Sequence, residues 1–297
     1  TEHGIYTRER KFEIARADWI YSEAAQEAKV VEGRDFFKEW WMALFSFASR
    51  LAYDRADEII TLYEGNRAVQ IEEGAAPEKI RLVPNGVDFE GFSRLPRRTD
   101  PEKFTVGFVG RVVPIKDIKT FLKACKKIHA ELPNVEFLLL GPTDEDEEYY
   151  EECRLMAEMS ALEKVVRFAG KVNLREYYPR IDVLVLTSIS EAQPIVILEA
   201  NACGIPAVAT DVGACRELLQ GSSPDDRLLG PSGVVTPVCD PEATAQAVIR
   251  LLRNPELRQR MGQAGRRRVE QYYQLEDWIA AYESIYSRNM EEVRWPA

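Results

Sequence analysis

From residue 104 onward, short unbroken apolar runs alternate with stretches whose apolar positions recur every three to four residues. The runs fall at 104–109, 135–140, 165–168, 183–187, 207–210 and 234–236. Each is short, continuous and rich in β-branched residues, which predicts a strand covered on both faces. The intervening stretches at 116–130, 147–159, 173–178, 195–202, 214–219 and 241–252 predict amphipathic helices. Strand and helix in strict alternation, joined by right-handed crossovers, imply a parallel sheet in a Rossmann-like layer.

The first ninety residues read differently. Residues 14–51 are strongly helical and carry Phe36, Phe37, Trp40, Trp41, Leu44, Phe45 and Phe47 on a helical spacing. Core packing is the default expectation for that face. The sharper one is a surface for a membrane-bound partner or a sugar chain. Residues 56–62 and 79–84 predict strands, and Asn85-Gly86-Val87-Asp88 a turn. The stretch 93–103 is rich in Pro, Arg and Asp and reads as a linker. The expected organisation is a first domain over 1–95, a second over 96–275 and a helix over 276–297 that crosses back to the first. The crossing is inferred from Tyr272, Tyr273, Trp278, Tyr282 and Tyr286, which have no strand of their own domain left to cover.

Composition narrows the function classes. The chain has 297 residues, enough for two domains at roughly 100–200 residues each. Its 39 basic and 49 acidic residues give a formal charge of −10, which argues against a broad nucleic-acid surface. No apolar run reaches the roughly 20 residues that span a bilayer. The chain opens Thr1-Glu2-His3-Gly4, with neither Met nor a signal-peptide pattern, and reads as starting inside a domain. Cys125, Cys153, Cys203, Cys215 and Cys239 are scattered, with no CxxC pair, and read as reduced thiols of a cytoplasmic protein.

Three features lie where an open parallel sheet binds ligands, at the carboxyl ends of its strands. The first is Gly110-Arg111-Val112-Val113-Pro114-Ile115-Lys116, directly after the first strand of the second domain. Two cations five residues apart on that turn can converge on one diphosphate, Arg as a planar fork and Lys as a point charge. The alternative is two solvated surface cations. The second runs from Glu191 through Gln193, Pro194, Ile195 and Val196 to Glu199. Pro194 suits a first helical turn, and the amides of Ile195 and Val196 would then face an anion. Carboxylates flanking a diphosphate must face hydroxyls, which describes a nucleotide sugar with ribose on one side and hexose on the other. The alternative is a helix-start Glu191 and a solvated Glu199. The third is Phe168-Ala169-Gly170-Lys171-Val172, where a glycine lets a flat base approach the backbone.

In this order, the features resemble the retaining family-4 glycosyltransferases, whose motif sets two Glu eight positions apart, here Glu191 and Glu199, with a Gly-Arg…Lys loop, here Gly110-Arg111 and Lys116. The resemblance extends over about residues 56–280, including Pro84-Asn85-Gly86-Val87-Asp88 and 204–213. A narrower one joins residues 1–10, 110–117 and the Ala192-Gln193-Pro194 variant to the Pel exopolysaccharide glycosyltransferases (PelF-like). It implies an α/β GT-B fold, two Rossmann-like domains with a cleft between them, the first incomplete in this chain. It implies a hexosyltransferase using a UDP-sugar and a polysaccharide acceptor, with no metal or other cofactor. Inner-membrane exopolysaccharide synthase subunits are the further partners it suggests, from a cytoplasmic site. Arg111 and Lys116 should hold the diphosphate, Glu199 the ribose, Glu191 the hexose, and the backbone of Lys171 and Val172 the base. Gln193, Ile195 and Val196 complete the donor contacts, and His3 should lie near the transferred sugar. Catalysis falls to Glu191, His3, Arg111 and Lys116. The rival reading is a non-catalytic nucleotide-sugar-binding subunit; an NAD dehydrogenase is weakened because no GxGxxG follows a strand.

Two patterns are expected to be decoys. Asp144-Glu145-Asp146 looks like a metal-binding DxD, yet it precedes a helix, where negative charge is ordinary. The run Arg266-Arg267-Arg268 reads as cations near a helix end.

Overall fold

The computed structural model describes residues 32–97 and 103–292. They divide into two compact units, one ending at Val83 and one beginning at Pro84. His3 and the rest of the amino-terminal motif lie outside the described residues.

In the first unit a long helix, α1 (Glu32–Arg55), leads into strand β1 (Ile59–Thr61), helix α2 (Glu64–Glu72) and strand β2 (Ile80–Leu82). The two strands pair in parallel, with Ile59 opposite Ile80 and Thr61 opposite Leu82. Tyr53, Ile59, Ala75 and Ile80 form a small apolar core, and buried Asn66 donates to Thr61 Oγ1 at 2.9 Å. The expectation that the aromatic stretch of α1 is core is not met by the side chains described: Trp41 and Phe45 are only half-buried. Trp40, Leu44, Phe47 and Leu51, spaced along one helical face, are exposed.

The second unit is a six-stranded parallel sheet in the order β5-β4-β3-β6-β7-β8. Its strands are β3 (Phe104–Val109), β4 (Val135–Leu140), β5 (Val166–Gly170), β6 (Val183–Leu186), β7 (Ala207–Thr210) and β8 (Gly233–Thr236). The unbroken apolar runs are buried along nearly their whole length, as a sheet covered on both faces demands. The core joins Phe108, Phe121 and Phe137, whose rings stand 5.3 and 6.3 Å apart in sequence, to Val106, Val183, Val185 and Val208. Covering helices are α4 (Ile118–Glu131), α5 (Glu147–Met159), the single turn α6 (Leu174–Tyr177), α7 (Ile195–Ala202), α8 (Cys215–Gln220), α9 (Pro224–Arg227), α10 (Pro241–Arg253) and α11 (Pro255–Tyr272). Asp117, Asp146, Asn173, Ser223, Asp240 and Asn254 each cap one of these at its start, accepting a first-turn amide.

The division between units lies upstream of the polar 93–103 stretch that composition singled out. A short helix, α3 (Phe89–Ser93), capped by Asp88, buries Phe89 and Phe92 in the second unit. The last helix, α12 (Leu275–Glu292), starts beside the same segment: Val87 donates to Tyr273 O at 2.9 Å and Leu275 to Val87 O at 3.0 Å. Along α12, Trp278, Tyr282 and Tyr286 stack on one another at 4.8 and 6.2 Å.

The basic run near the end of α11 needs correction. Arg266 and Arg267 are exposed, but Arg268 is fully buried. Its Nε lies 2.5 Å from Asp226 Oδ1, itself fully buried, and its other nitrogens donate to the carbonyls of Leu219, Asp226 and Gly230. Four of the guanidinium's five N–H groups are thereby used, which is what lets a cation survive in the interior.

Candidate functional site: the carboxyl edge of the second sheet

Sheet order fixes where a site can form. The chain builds β3, β4 and β5 outward in one direction, then returns to lay β6 on the other side of β3. That reversal opens a crevice beyond the carboxyl ends of β3 and β6. The loops after those two strands are the ones that carry Gly110–Lys116 and Glu191. They are tied to each other by backbone. Ile189 donates to Ile115 O at 2.8 Å, and the buried Thr187 hydroxyl lies 3.1 and 2.9 Å from the carbonyls of Lys116 and Asp117. Thr210, at the end of β7, holds the same loop through Ser188 O at 2.6 Å.

Lys116 and Glu191 meet in this crevice. Lys116 Nζ lies 2.5 Å from Glu191 Oε1, and the Ser188 hydroxyl donates to that same oxygen at 2.6 Å. Both charged side chains are largely buried, at 16% and 11% exposure, so the pair is poorly screened by solvent. Both bonds fall on Oε1 and do not involve Glu191 Oε2. Arg111 is placed differently: exposed on the rim, it pairs with Glu145 at 2.7 Å. The two cations thus share a loop but not a partner.

The glycine that frames the motif is Gly213, with φ +51°. A Cβ there would stand 2.1 Å from Glu191 O and 2.4 Å from Ala192 O, and Ala214 donates to Ala192 O at 2.8 Å. The carbonyls of Glu191 and Ala192 therefore rest against a residue that must be glycine. A second close approach, between Gly141 and Gly110 O, packs the end of β4 against the start of the Arg111 loop.

Helix α7 follows the motif. Pro194 is its amino-terminal cap residue and makes no side-chain cap bond. The first-turn amides of Ile195 and Val196 have no acceptor within a helix. Gln193 is engaged elsewhere: its Oε1 accepts from the Asn85 amide at 2.6 Å, and its carbonyl lies 3.4 Å from Asn85 Nδ2. One turn into α7, Glu199 Oε2 accepts from the Tyr178 hydroxyl at 2.7 Å. Burial pushes the Glu199 carboxyl above its ordinary range, against the hydrogen bond from Tyr178 and the nearby Arg175 charge. At the end of β5, Gly170 has φ +68° and open space where a Cβ would stand; exposed Lys171 and half-buried Val172 follow it.

The residues that pattern reading missed are Ser188, Asn85 and Tyr178. Ser188 sits three positions before Glu191, a spacing that could have flagged it; Asn85 and Tyr178 arrive through tertiary packing. The acidic run is accounted for locally: Asp146 caps α5 through the Tyr149 amide at 3.0 Å, and Glu145 faces Arg111. Among the described residues no helix is long and apolar enough to cross a membrane.

Residues 92–268 match the family described as glycosyl transferases group 1. The chain belongs to that family. A domain of unknown function matches residues 1–78. Among group 1 relatives, the D-inositol 3-phosphate glycosyltransferase 2 of Catenulispora acidiphila is 30% identical over 81% of this chain and 58% of its own length. The N-acetyl-alpha-D-glucosaminyl L-malate synthase of Bacillus anthracis is 28% identical over 58% of this chain and 42% of its own length. The chain thus spans only part of the curated relatives it matches. Anabaena HepE, solved with UDP and glucose, aligns with a TM-score of 0.70 at 20% identity, covering 81% of this chain and 66% of that one. The sucrose-phosphate synthase of Thermosynechococcus elongatus aligns at 0.71 and 23% identity, covering 83% and 62%. The fold is the GT-B fold that the family resemblance implies; the family match does not single out the Pel branch.

Proposed function

We propose that this chain carries the donor-binding side of a retaining hexosyltransferase, which moves a hexose or N-acetylhexosamine from a UDP-sugar to a growing polysaccharide. The observation that carries the reading is the Lys116–Glu191–Ser188 cluster at the switch point of the sheet, beside the uncapped start of α7. A diphosphate entering there meets the Lys116 ammonium and the free amides of Ile195 and Val196. Lys116 then leaves Glu191, whose carboxylate turns to hexose hydroxyls. Arg111 on the rim exchanges Glu145 for the diphosphate. Glu199 accepts from the ribose, and the backbone at Lys171 and Val172 receives the base beside open Gly170. Gln193 contributes by holding the loop through Asn85.

During transfer the bond from the sugar's anomeric carbon to the diphosphate oxygen breaks, and a bond to the acceptor oxygen forms on the same face. The acceptor's proton passes to the departing diphosphate. Charge grows on that leaving group, and preorganised donors aimed at it stabilise the transition state. Lys116, Arg111 and the α7 amides suffice for this without a metal. HepE's complex with UDP and glucose supports a UDP-linked donor. The sequence resemblance supports placing His3 near the transferred sugar, and it supports a cytoplasmic role in Pel-type exopolysaccharide synthesis alongside inner-membrane synthase subunits.

Calorimetric titration of UDP and a panel of UDP-sugars, with and without EDTA, tests this. Glu191→Ala is expected to leave UDP binding intact and to weaken the intact donor about ten- to a hundredfold, the worth of a hydrogen bond to a charged group. Lys116→Ala should weaken both ligands. Loss of UDP binding in EDTA would overturn the metal-free reading. Equal donor affinity in Glu191→Ala and wild type would overturn the hexose assignment.

A further inference from the structure

Behind Glu199 lies a tyrosine with no access to solvent. Tyr178 opens the 3₁₀ turn Tyr178–Arg180 that follows α6, and it is fully buried. Its ring meets Phe92 edge to face at 5.7 Å and 85°. Arg175 lies over the other ring, Phe92, at 4.7 Å, and is itself held by Asp88 at 2.5 Å. Phe92 is fixed in turn: Cys203, at the end of α7, places its thiol 3.5 Å from Phe92 O. The tyrosine is therefore locked by packing before it makes any polar contact. Its hydroxyl has one proton to give. The nearest acceptor is Glu199 Oε2 at 2.7 Å; the Val196 carbonyl is more distant, at 3.5 Å.

That leaves the two oxygens of Glu199 unequal. Oε2 is engaged from the interior by Tyr178, a bond that does not involve Oε1. A carboxylate's last torsion is broad and nearly two-fold, so an unanchored Glu199 would sample many orientations. Anchoring one oxygen to a rigid, buried donor fixes the plane of the group and directs the other outward. Preorganisation of this kind raises affinity by removing the ordering cost at binding.

We propose that Tyr178 is the positioning residue for ribose recognition, holding one oxygen of Glu199 so that the other is presented to the vicinal hydroxyls of a bound nucleotide. This rests on the reading of Glu199 as the ribose contact, and the test separates the two. The full chain is titrated calorimetrically with UDP and with 2′,3′-dideoxy-UDP, which lacks both hydroxyls. Wild type should prefer UDP about ten- to a hundredfold. Tyr178→Phe keeps the ring and its packing; it should bind dideoxy-UDP as wild type does, which also reports that it is folded, while its preference for UDP shrinks about tenfold. Phe92→Leu, which loosens the packing and keeps the hydroxyl, should lower the preference by less than Tyr178→Phe does.

Three results would overturn the proposal. If Glu199→Ala keeps the wild-type preference, Glu199 does not read ribose and the inference falls with that reading. If Glu199→Ala loses the preference and Tyr178→Phe retains it, Glu199 reads ribose without Tyr178. If Phe92→Leu lowers the preference as much as Tyr178→Phe, packing rather than the hydroxyl sets it.

Discussion

Glu191 owes its place to a residue that carries no side chain. Gly213 adopts φ +51° directly beneath the carbonyls of Glu191 and Ala192. In Gly213→Ala the left-handed backbone alone costs roughly 1–2 kcal/mol. The larger effect is steric, because the new Cβ meets rigid backbone at 2.1 Å and the Glu191 loop must move. UDP-sugar affinity is expected to fall more than tenfold, with stability lowered by more than about 2 kcal/mol in urea denaturation. Wild-type donor affinity in this variant would show that the loop is not held from below. At this scale the sequence announces the charged groups well. Arg111, Lys116, Glu191 and Glu199 stand at fixed offsets from strand ends, and the fold puts the last three in or beside the crevice. It is silent on which charge pairs with which. Lys116 bonds Glu191, while Arg111 bonds Glu145, because side-chain partners depend on a loop-to-loop approach that no linear spacing encodes.

Elements were legible where one force dominates. Strands buried on both faces have no polar side to blur the pattern, so β3, β4 and β7 coincide with their apolar runs. Helix starts at 147 and 241 fell where the apolar spacing put them, and Asp146 and Asp240 cap them there. The division between units was not, because a Pro-, Arg- and Asp-rich stretch is more conspicuous than two phenylalanines, and it is Phe89 and Phe92 that bind 84–95 to the second unit. Arg268 is the strongest case of a misleading pattern: three arginines in a row near a helix end look solvated, yet the third pins α11 to α9 and to the carbonyls of Leu219 and Gly230. Removing one partner from a fully buried pair leaves a bare charge, so Arg268→Ala should cost about 3–5 kcal/mol in urea unfolding. Asp226→Ala should cost a similar amount, and the double variant much less than their sum. Strict additivity would mean that the two residues act independently, against the 2.5 Å contact.

Across the whole molecule, the division at Val83/Pro84 makes a thermodynamic claim of its own. Among the described residues the second unit has a sheet of six strands and an extensive core, whereas the first has two paired strands and a small one. Each unit closes its own core, so heating is expected to produce two transitions in differential scanning calorimetry. Every group assigned here to UDP, from Lys116 to Glu199, belongs to the second unit. A ligand that binds only the folded form of a unit stabilises it by RT ln(1 + [L]/Kd), about 2.7 kcal/mol at one hundred times Kd. For a domain of this size each kcal/mol moves the midpoint by about 2–4 °C. Saturating UDP should therefore raise one transition by roughly 5–11 °C. The other should stay within a degree or so. In Lys116→Ala the same UDP concentration should move the first of these less, in proportion to the logarithm of its lost affinity. A UDP shift shared equally by both transitions would mean that the first unit contributes to the bound state as strongly as the second, and the assignment of the donor site to the second unit alone would fail. No shift in either, at UDP concentrations up to millimolar, would remove the nucleotide from the account of this crevice and leave the Lys116–Glu191 pair as a structural contact.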